Sequence, residues 1–198
     1  AFREGTFVFS GDRKNVVAAT DAYIGIWNTT TGALVQKLTF PLKEGIYDCA
    51  IDKIDCTDDL SVIAGNWAMP GRLTLSFDAH VMIWNGVTGE LTQTVVDKGA
   101  TDLVAIDLSK DGKQLATTNG RGAKIWDTST GHELLTVSND NAEIVKADPK
   151  LASPFIDHVW SIQLSPSGKQ LAVGDTLGVK LIDTTSGKLI QQLEGGYR

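Results

Sequence analysis

The sequence predicts an all-β chain of four four-stranded antiparallel sheets, because one strand–turn–strand pattern recurs four times. Each copy of the turn has an apolar residue, Asn or Asp, three small residues and then Gly. The Asn or Asp side chain can accept hydrogen bonds from the turn backbone, and Gly can adopt the positive φ that closes the turn. The four copies lie at residues 27–32, 84–89, 126–131 and 182–187.

A second pair of strands is expected before each copy, because segments 102–127 and 157–183 align along their whole length. The four resulting units lie at about residues 2–40, 45–96, 102–138 and 159–194. A four-stranded sheet cannot bury both of its faces alone. Its repetition at this period predicts the radially stacked blades of a β-propeller, in a single domain over residues 1–198.

Small and apolar residues recur at fixed places within the units. One alanine in each predicted second strand falls at an equivalent place, where a small side chain would suit a crowded position near a propeller axis: Ala18, Ala64, Ala116 and Ala172. The fourth unit has Ile182 where the others have Trp. We expect Trp160, in the first strand of that unit, to restore some of the lost volume.

At these segments the chain resembles the WD-repeat family and the related YVTN-type propellers. The matching stretches are LSKDGKQLATTNGRGAKIWDTSTG at 108–131, LSPSGKQLAVGDTLGVKLIDTTSGKLI at 164–190, and the Trp-Asn steps of the first two units. No unit carries the Gly-His pair that WD repeats commonly place before the first strand; the corresponding positions are near Gly99 and Phe155. The resemblance therefore does not extend to the hydrogen-bond network built on that histidine, and His158 is not expected to replace it.

The number of units leaves three architectures open, because propellers of this family usually close with seven or eight blades. The chain is a fragment of a longer propeller, a half-ring that dimerises, or a complete four-bladed ring. The first two are favoured, since end blades without neighbours would expose apolar faces and strand edges. A second copy of the chain, or additional blades, is therefore an expected partner.

Composition excludes several classes of function. The formal net charge is −6, and no run of Lys and Arg is present, which argues against nucleic-acid binding through a basic face. No apolar stretch approaches the roughly 20 residues of a membrane helix, and no signal segment opens the chain. We expect a cytoplasmic protein without a membrane partner, although a chain beginning at Ala1 is compatible with a removed leader.

The second unit contains an insertion between its second and third strands. Ala64 and Trp84 are 20 residues apart, whereas the same step is 9 or 10 residues in the first and third units. The insertion supplies residue types that are over-represented at the centres of protein interfaces: Trp67, Met69, Arg72 and Phe77. The alternative is a longer hairpin turned at Pro70-Gly71, with Trp67 folded back onto the sheet.

A second insertion lies in the crossing from the third unit to the fourth. Some 12 to 14 extra residues fall within 138–157, including Phe155. Loops of this length tend to be functional or mobile. In a four-stranded blade, the second-to-third connection and the crossing emerge on the same side, so both insertions are expected to decorate one face. The family resemblance implies that such a face commonly receives partners.

No pattern predicts a catalytic, cofactor-binding or metal-binding residue. A nucleophile elbow, a zinc-binding helix, a phosphate loop and a carboxylate pair are absent from the sequence. The carboxylates at Asp55, Asp58 and Asp59 lack calcium-loop spacing and predict a solvated acidic turn. Cys49 and Cys56 suit neither a redox pair nor zinc, so we expect reduced structural thiols, with a disulfide across the turn as the alternative.

The sequence therefore predicts a non-catalytic β-propeller scaffold that binds a protein partner through one loop-decorated face. The candidate partner-binding residues are Trp67, Met69, Arg72, Phe77 and Phe155. The alternative is a YVTN-like or quinoprotein-like enzyme, or a ligand-binding propeller, with a pocket on the central axis. Polar side chains converging there from several blades would distinguish it from the scaffold.

Overall fold

The computed structural model describes residues 6–20, 23–39, 50–68, 78–100, 103–138 and 158–194. These ranges contain sixteen β-strands and no helix, so no described helix could cross a membrane. The strands form four antiparallel sheets, each built from four strands in chain order. The predicted all-β class and the four four-stranded sheets are therefore confirmed.

Each sheet occupies one continuous stretch of chain. The first contains β1 (Phe7–Phe9), β2 (Asn15–Ala19), β3 (Ile24–Asn28) and β4 (Leu34–Leu38), and the second contains β5 (Ala50–Cys56), β6 (Ile63–Ala68), β7 (Ala79–Trp84) and β8 (Leu91–Asp97). The third contains β9 (Ala105–Leu108), β10 (Gln114–Thr118), β11 (Gly122–Asp127) and β12 (Glu133–Ser138). The fourth contains β13 (Val159–Leu164), β14 (Gln170–Asp175), β15 (Gly178–Asp183) and β16 (Leu189–Glu194).

The turn between the third and fourth strands of each sheet has the predicted chemistry. In the first sheet, Asn28 Oδ1 accepts hydrogen bonds from the backbone N–H groups of Thr30 and Thr31, at 3.0 and 2.9 Å. In the fourth sheet, Asp183 Oδ1 accepts the backbone N–H of Ser186 at 2.7 Å. The glycine that closes each turn has a φ between 68° and 79°: Gly32, Gly89, Gly131 and Gly187.

The turn between the first and second strands is a second repeated element. Ser109 Oγ and the Lys113 backbone N–H both donate to Asp111 Oδ1, at 2.8 and 3.1 Å. In the second sheet, Thr57 Oγ1 donates to Asp59 Oδ1 at 2.8 Å, so this carboxylate of the acidic turn holds the turn together. A positive φ recurs at one position of all four turns: Arg13, Leu60, Gly112 and Gly168.

The strand registers define two faces on every sheet. The face that carries the repeated Trp or Ile of the third strand is called the rear face. The opposite face, which carries the residue immediately before that Trp or Ile, is called the front face. Val17 pairs with Ile26, just as Ala116 pairs with Ile125, so both belong to front faces. Ala18 pairs with Gly25 instead. The predicted equivalence of Ala18 with the other three alanines is therefore wrong by one residue.

The chain divides into two compact units, residues 1–102 with 128–132 and residues 103–127 with 133–198. In the first unit, front-face side chains of the first sheet pack with rear-face side chains of the second. The cluster contains Val17, Ala19, Ile24, Ile26 and Leu38 together with Ile51, Leu60, Ile63, Met82 and Trp84. Trp84 is fully buried, and its Nε1 donates to the Thr39 carbonyl at 3.3 Å.

The second unit repeats this arrangement with the third and fourth sheets. Its core joins front-face Ala116, Ala123 and Ile125 to rear-face residues of the fourth sheet: Val159, Ile162, Leu164, Leu171, Val173 and Ile182. The backbone N–H of Leu164 donates to Asp107 Oδ2 at 2.6 Å, which joins the two first strands.

The expectation that Trp160 fills the space beside Ile182 is wrong. Trp160 is 53% exposed, whereas Ile182 is 4% exposed within the core cluster. The pairing of β13 with β14 shifts by one residue between Val159 and Ser161. Because side chains alternate between faces along a strand, this irregularity removes Trp160 from the alternating pattern that the sequence suggests.

Cys56 is a free thiol at the end of β5, and Cys49 lies outside the described residues. Burial raises the pKa of the Cys56 thiol to about 12, with a further contribution from the negative charges of Asp55, Asp58 and Asp59. The thiolate is therefore disfavoured at neutral pH, in agreement with a structural thiol at this position.

Candidate functional site

The first candidate region is the connection between β6 and β7 in the second sheet. It covers ten residues, 69–78, whereas the equivalent connections cover residues 20–23, 119–121 and 176–177. The predicted insertion is therefore present between these strands. Met69, Arg72 and Phe77 lie outside the described residues, and so does the side chain of Trp67. The Trp67 backbone belongs to β6, where it pairs with Ile51 and His80.

The strand ends beside this connection contain polar groups. Asn66 is 2% exposed, and its Oδ1 accepts no hydrogen bond from the described residues. Leaving a buried carbonyl without a donor is unfavourable by about 1–3 kcal/mol. Asp78, immediately before β7, accepts the backbone N–H of Gly99 at 2.9 Å through Oδ1. This bond joins the entry of β7 to the turn that follows β8.

The second candidate region is the crossing from β12 to β13. It covers residues 139–158, twenty in number, whereas the equivalent crossings cover residues 39–49 and 98–104. Phe155 lies outside the described residues. At the start of β13, the rings of His158 and Trp160 are 4.1 Å apart between centroids, with an interplanar angle of 57°. The crossing thus ends at two rings in tilted contact, and the Trp160 ring is largely exposed.

A buried ion pair lies in the same sheet. Lys180 Nζ is 3.0 Å from Asp175 Oδ2, and the two side chains are 13% and 1% exposed. Asp175 Oδ1 also accepts the backbone N–H of Leu177 at 2.8 Å, which orders the β14–β15 turn. Desolvation of both charges is costly, and the hydrogen bond from the Leu177 N–H offsets part of that cost at the carboxylate. Asp175 pairs with Val159 across the sheet, close to the start of β13.

Within each unit, the long connection lies at the end of the sheet where the first strand begins and the second strand finishes. Ala50, the first residue of β5, pairs with Ala68, so the entry to the second sheet and its long connection share one end. In the second unit, the Val159 N–H donates to the Gly120 carbonyl at 2.7 Å. The crossing therefore ends beside the β10–β11 turn. The arrangement of both insertions on a single face stays a prediction.

The titratable groups do not converge into a metal site in the part of the chain that the structure describes. No group of three or more His, Cys, Asp or Glu side chains there could hold a metal ion. His80 lies in β7, His132 follows the β11–β12 turn, and His158 precedes β13. Trp160 is the site residue that sequence reasoning misplaced; its position directly after a twenty-residue crossing is the signal that could have found it.

Comparison with protein-family models and with curated protein sequences finds no match for the chain.

Proposed function

We propose that the protein is a non-catalytic β-propeller scaffold of the WD-repeat type, which binds a protein partner at the strand ends that carry its long connections. Propeller blades are four-stranded antiparallel sheets with strands in chain order, and all four sheets have this topology. Their packing supports the same assignment. In each unit, the first strand of the later sheet contacts the first two strands of the earlier one.

The observation that carries the partner-binding function is the exposure of Trp160. A tryptophan that is 53% exposed at the start of β13 leaves a large apolar area in water, beside the longest connection of the chain. Tryptophan is enriched among the few residues that supply most of the binding energy at protein interfaces, because its large surface is desolvated in the complex. Trp160 is therefore the described residue best suited to anchor a partner.

The remaining candidate anchors come from the two connections. Trp67, Met69, Arg72 and Phe77 belong to the β6–β7 region, and Phe155 precedes β13. We propose that they contribute to the same binding function. Their types match the composition of interface centres, where aromatic residues, Met and Arg are enriched. The length asymmetry supports this role, since only these two connections are much longer than their equivalents in the other sheets.

The test compares capture by the wild-type protein with capture by Trp160→Ala. The immobilised proteins are incubated with extract of the source cells, and bound proteins are quantified by mass spectrometry. Val87→Ala is the matched control, because Val87 is 73% exposed in the β7–β8 turn, at the opposite end of β7 from the β6–β7 connection. We expect a protein that the wild type and Val87→Ala retain equally, and that Trp160→Ala retains at least tenfold less.

The captured protein is then produced in pure form, and its affinity is measured by calorimetry against the same three proteins. Circular dichroism establishes that Trp160→Ala keeps the β-sheet signal, which we expect because the side chain is largely exposed. Equal affinity of the wild type and Trp160→Ala would reject Trp160 as an anchor. Turnover of a small molecule by the purified chain would reject the non-catalytic function.

A further inference from the structure

The rear face of the first sheet has the residues of an interior face but not the burial. Its described apolar side chains include Phe7, Phe9 and Val16. Phe7 and Phe9 are 59% and 49% exposed. They lie next to each other, with ring centroids 6.3 Å apart. Two exposed phenylalanines on one face of one strand form an apolar surface that water disfavours.

The equivalent rear-face positions elsewhere in the chain are buried. By register, Phe7 and Phe9 correspond to Ile162 and Leu164 of the fourth sheet, which are 8% and 6% exposed. Trp27 is half-buried, whereas Trp84 at the same repeat position is fully buried. The difference has a clear cause: the rear faces of the second and fourth sheets are each covered by the front face of the preceding sheet within their unit.

The front face of the fourth sheet shows the complementary difference. Leu193, which pairs with Val179, is 45% exposed, whereas Leu38 at the equivalent position of the first sheet is fully buried. Leu181 is half-buried, although its equivalent Ile125 is fully buried in the third sheet. Those two buried residues belong to front faces that pack against a following sheet.

We propose that the front face of the fourth sheet binds the rear face of the first sheet of a second copy of this chain. The interface within each unit joins a front face to a rear face. The exposed face of the fourth sheet is a front face and the exposed face of the first sheet is a rear face, so the two can form the same kind of interface. The contact is heterologous, with different surfaces on the two copies. Phe9 and Leu193 each lie in one of these surfaces, and both become buried in the assembly.

The experiment measures the mass of the full chain by light scattering after gel filtration, over a hundredfold range of concentration. We expect an assembly of two or more chains that dissociates on dilution. Phe9→Lys and Leu193→Lys each place a charge in one of the two surfaces, and each is expected to raise the dissociation constant at least tenfold. Val87→Lys, in an exposed turn, is the matched control and is expected to leave the mass unchanged.

Mixing the two variants tests the head-to-tail geometry. Phe9→Lys keeps an intact fourth sheet and Leu193→Lys keeps an intact first sheet, so the mixture forms one unmodified contact and regains assembly that neither variant shows alone. Circular dichroism checks that each variant retains its sheets. A wild-type chain that stays monomeric throughout would overturn the proposal. Assembly unaffected by either lysine, or lost equally in Val87→Lys, would also overturn it.

Discussion

Trp126 and Thr117 are joined by a buried hydrogen bond, in which the indole Nε1 donates to Thr117 Oγ1 at 2.9 Å. The two residues are 4% and 0% exposed. The bond gives the indole N–H of the most regular repeat an acceptor within its own sheet. No histidine of a Gly-His pair is involved, because this sequence has no such pair. The polar edge of the Trp126 indole in β11 is therefore bonded to the neighbouring strand β10.

Thr117→Val should destabilise the protein because it keeps the shape of the side chain but removes the acceptor. Because the buried indole N–H of Trp126 then lacks this acceptor, we expect the free energy of unfolding to fall by about 1–3 kcal/mol. Urea denaturation followed by circular dichroism measures the change. Thr185→Val, at an exposed turn position, is the control. A Thr117→Val protein as stable as the control would contradict the role of this bond.

Lys180→Met should be strongly destabilising, because it removes the ammonium group from an Asp175 carboxylate that is 1% exposed. Breaking a buried pair in this way typically costs about 3–5 kcal/mol. The same change at exposed Lys188 should have little effect. Asp175→Asn combined with Lys180→Met should recover part of the loss, since no unpaired carboxylate remains. Melting temperatures of the four proteins distinguish this result from a general loss of packing, in which the double variant would recover nothing.

Acid should destabilise the protein through its turn carboxylates. Hydrogen bonds from the Lys113 backbone and from Ser109 lower the pKa of Asp111 below its ordinary value of 3.8, and the pKa values of Asp12, Asp59 and Asp183 are lowered by similar bonds. A lowered folded-state pKa stabilises the native protein above the unfolded-state pKa. That stabilisation is lost as the pH falls through the folded-state pKa values, below about pH 4.

The free energy of unfolding, measured from pH 6 to pH 2, should therefore decrease below about pH 4. Asp111→Asn replaces a titrating acceptor with a neutral one, so its stability should depend less steeply on pH over this window. The comparison at pH 6 shows the cost of the substitution itself. Parallel curves for the wild type and Asp111→Asn would show that this carboxylate does not contribute to the acid response.

Trp67→Ala separates two interpretations of the insertion. If Trp67 anchors a partner, the substitution should weaken binding by more than about 1–2 kcal/mol and leave folding nearly intact. If the indole instead packs on the sheet, stability should fall by roughly 3–5 kcal/mol. Calorimetry with the captured partner and thermal denaturation provide the two measurements. Unchanged affinity with a large drop in melting temperature would identify Trp67 as a core residue.

The turns and the sheet count could be predicted from the sequence because their chemistry is local. Asn28 and Gly32 close a turn by bonds within six residues, so their spacing alone indicates the structure. Register is less local. A one-residue offset moves a side chain to the opposite face, which is why Ala18 could not be distinguished from Val17 by counting.

The candidate site was predictable in position but not in its side chains. Counting from Ala64 to Trp84 finds the longer β6–β7 connection, since the strands on either side have ordinary lengths. The irregular pairing at Trp160 has no signature in the neighbouring residues, so its exposure could not be read from them; only the length of the crossing before β13 indicates this position. The burial of Lys180 and Asp175 could not be predicted either, because it depends on which face of the β14–β15 hairpin is covered by other parts of the chain.

The chain-order topology has a consequence for how the polypeptide matures on the ribosome. Because each sheet uses one uninterrupted segment, all four of its strands are available for pairing once that segment has left the exit tunnel. Within each unit, the front face of the earlier sheet stays uncovered until the segment of the later sheet has been synthesised. The order of translation therefore sets which side of each of these two interfaces is present first.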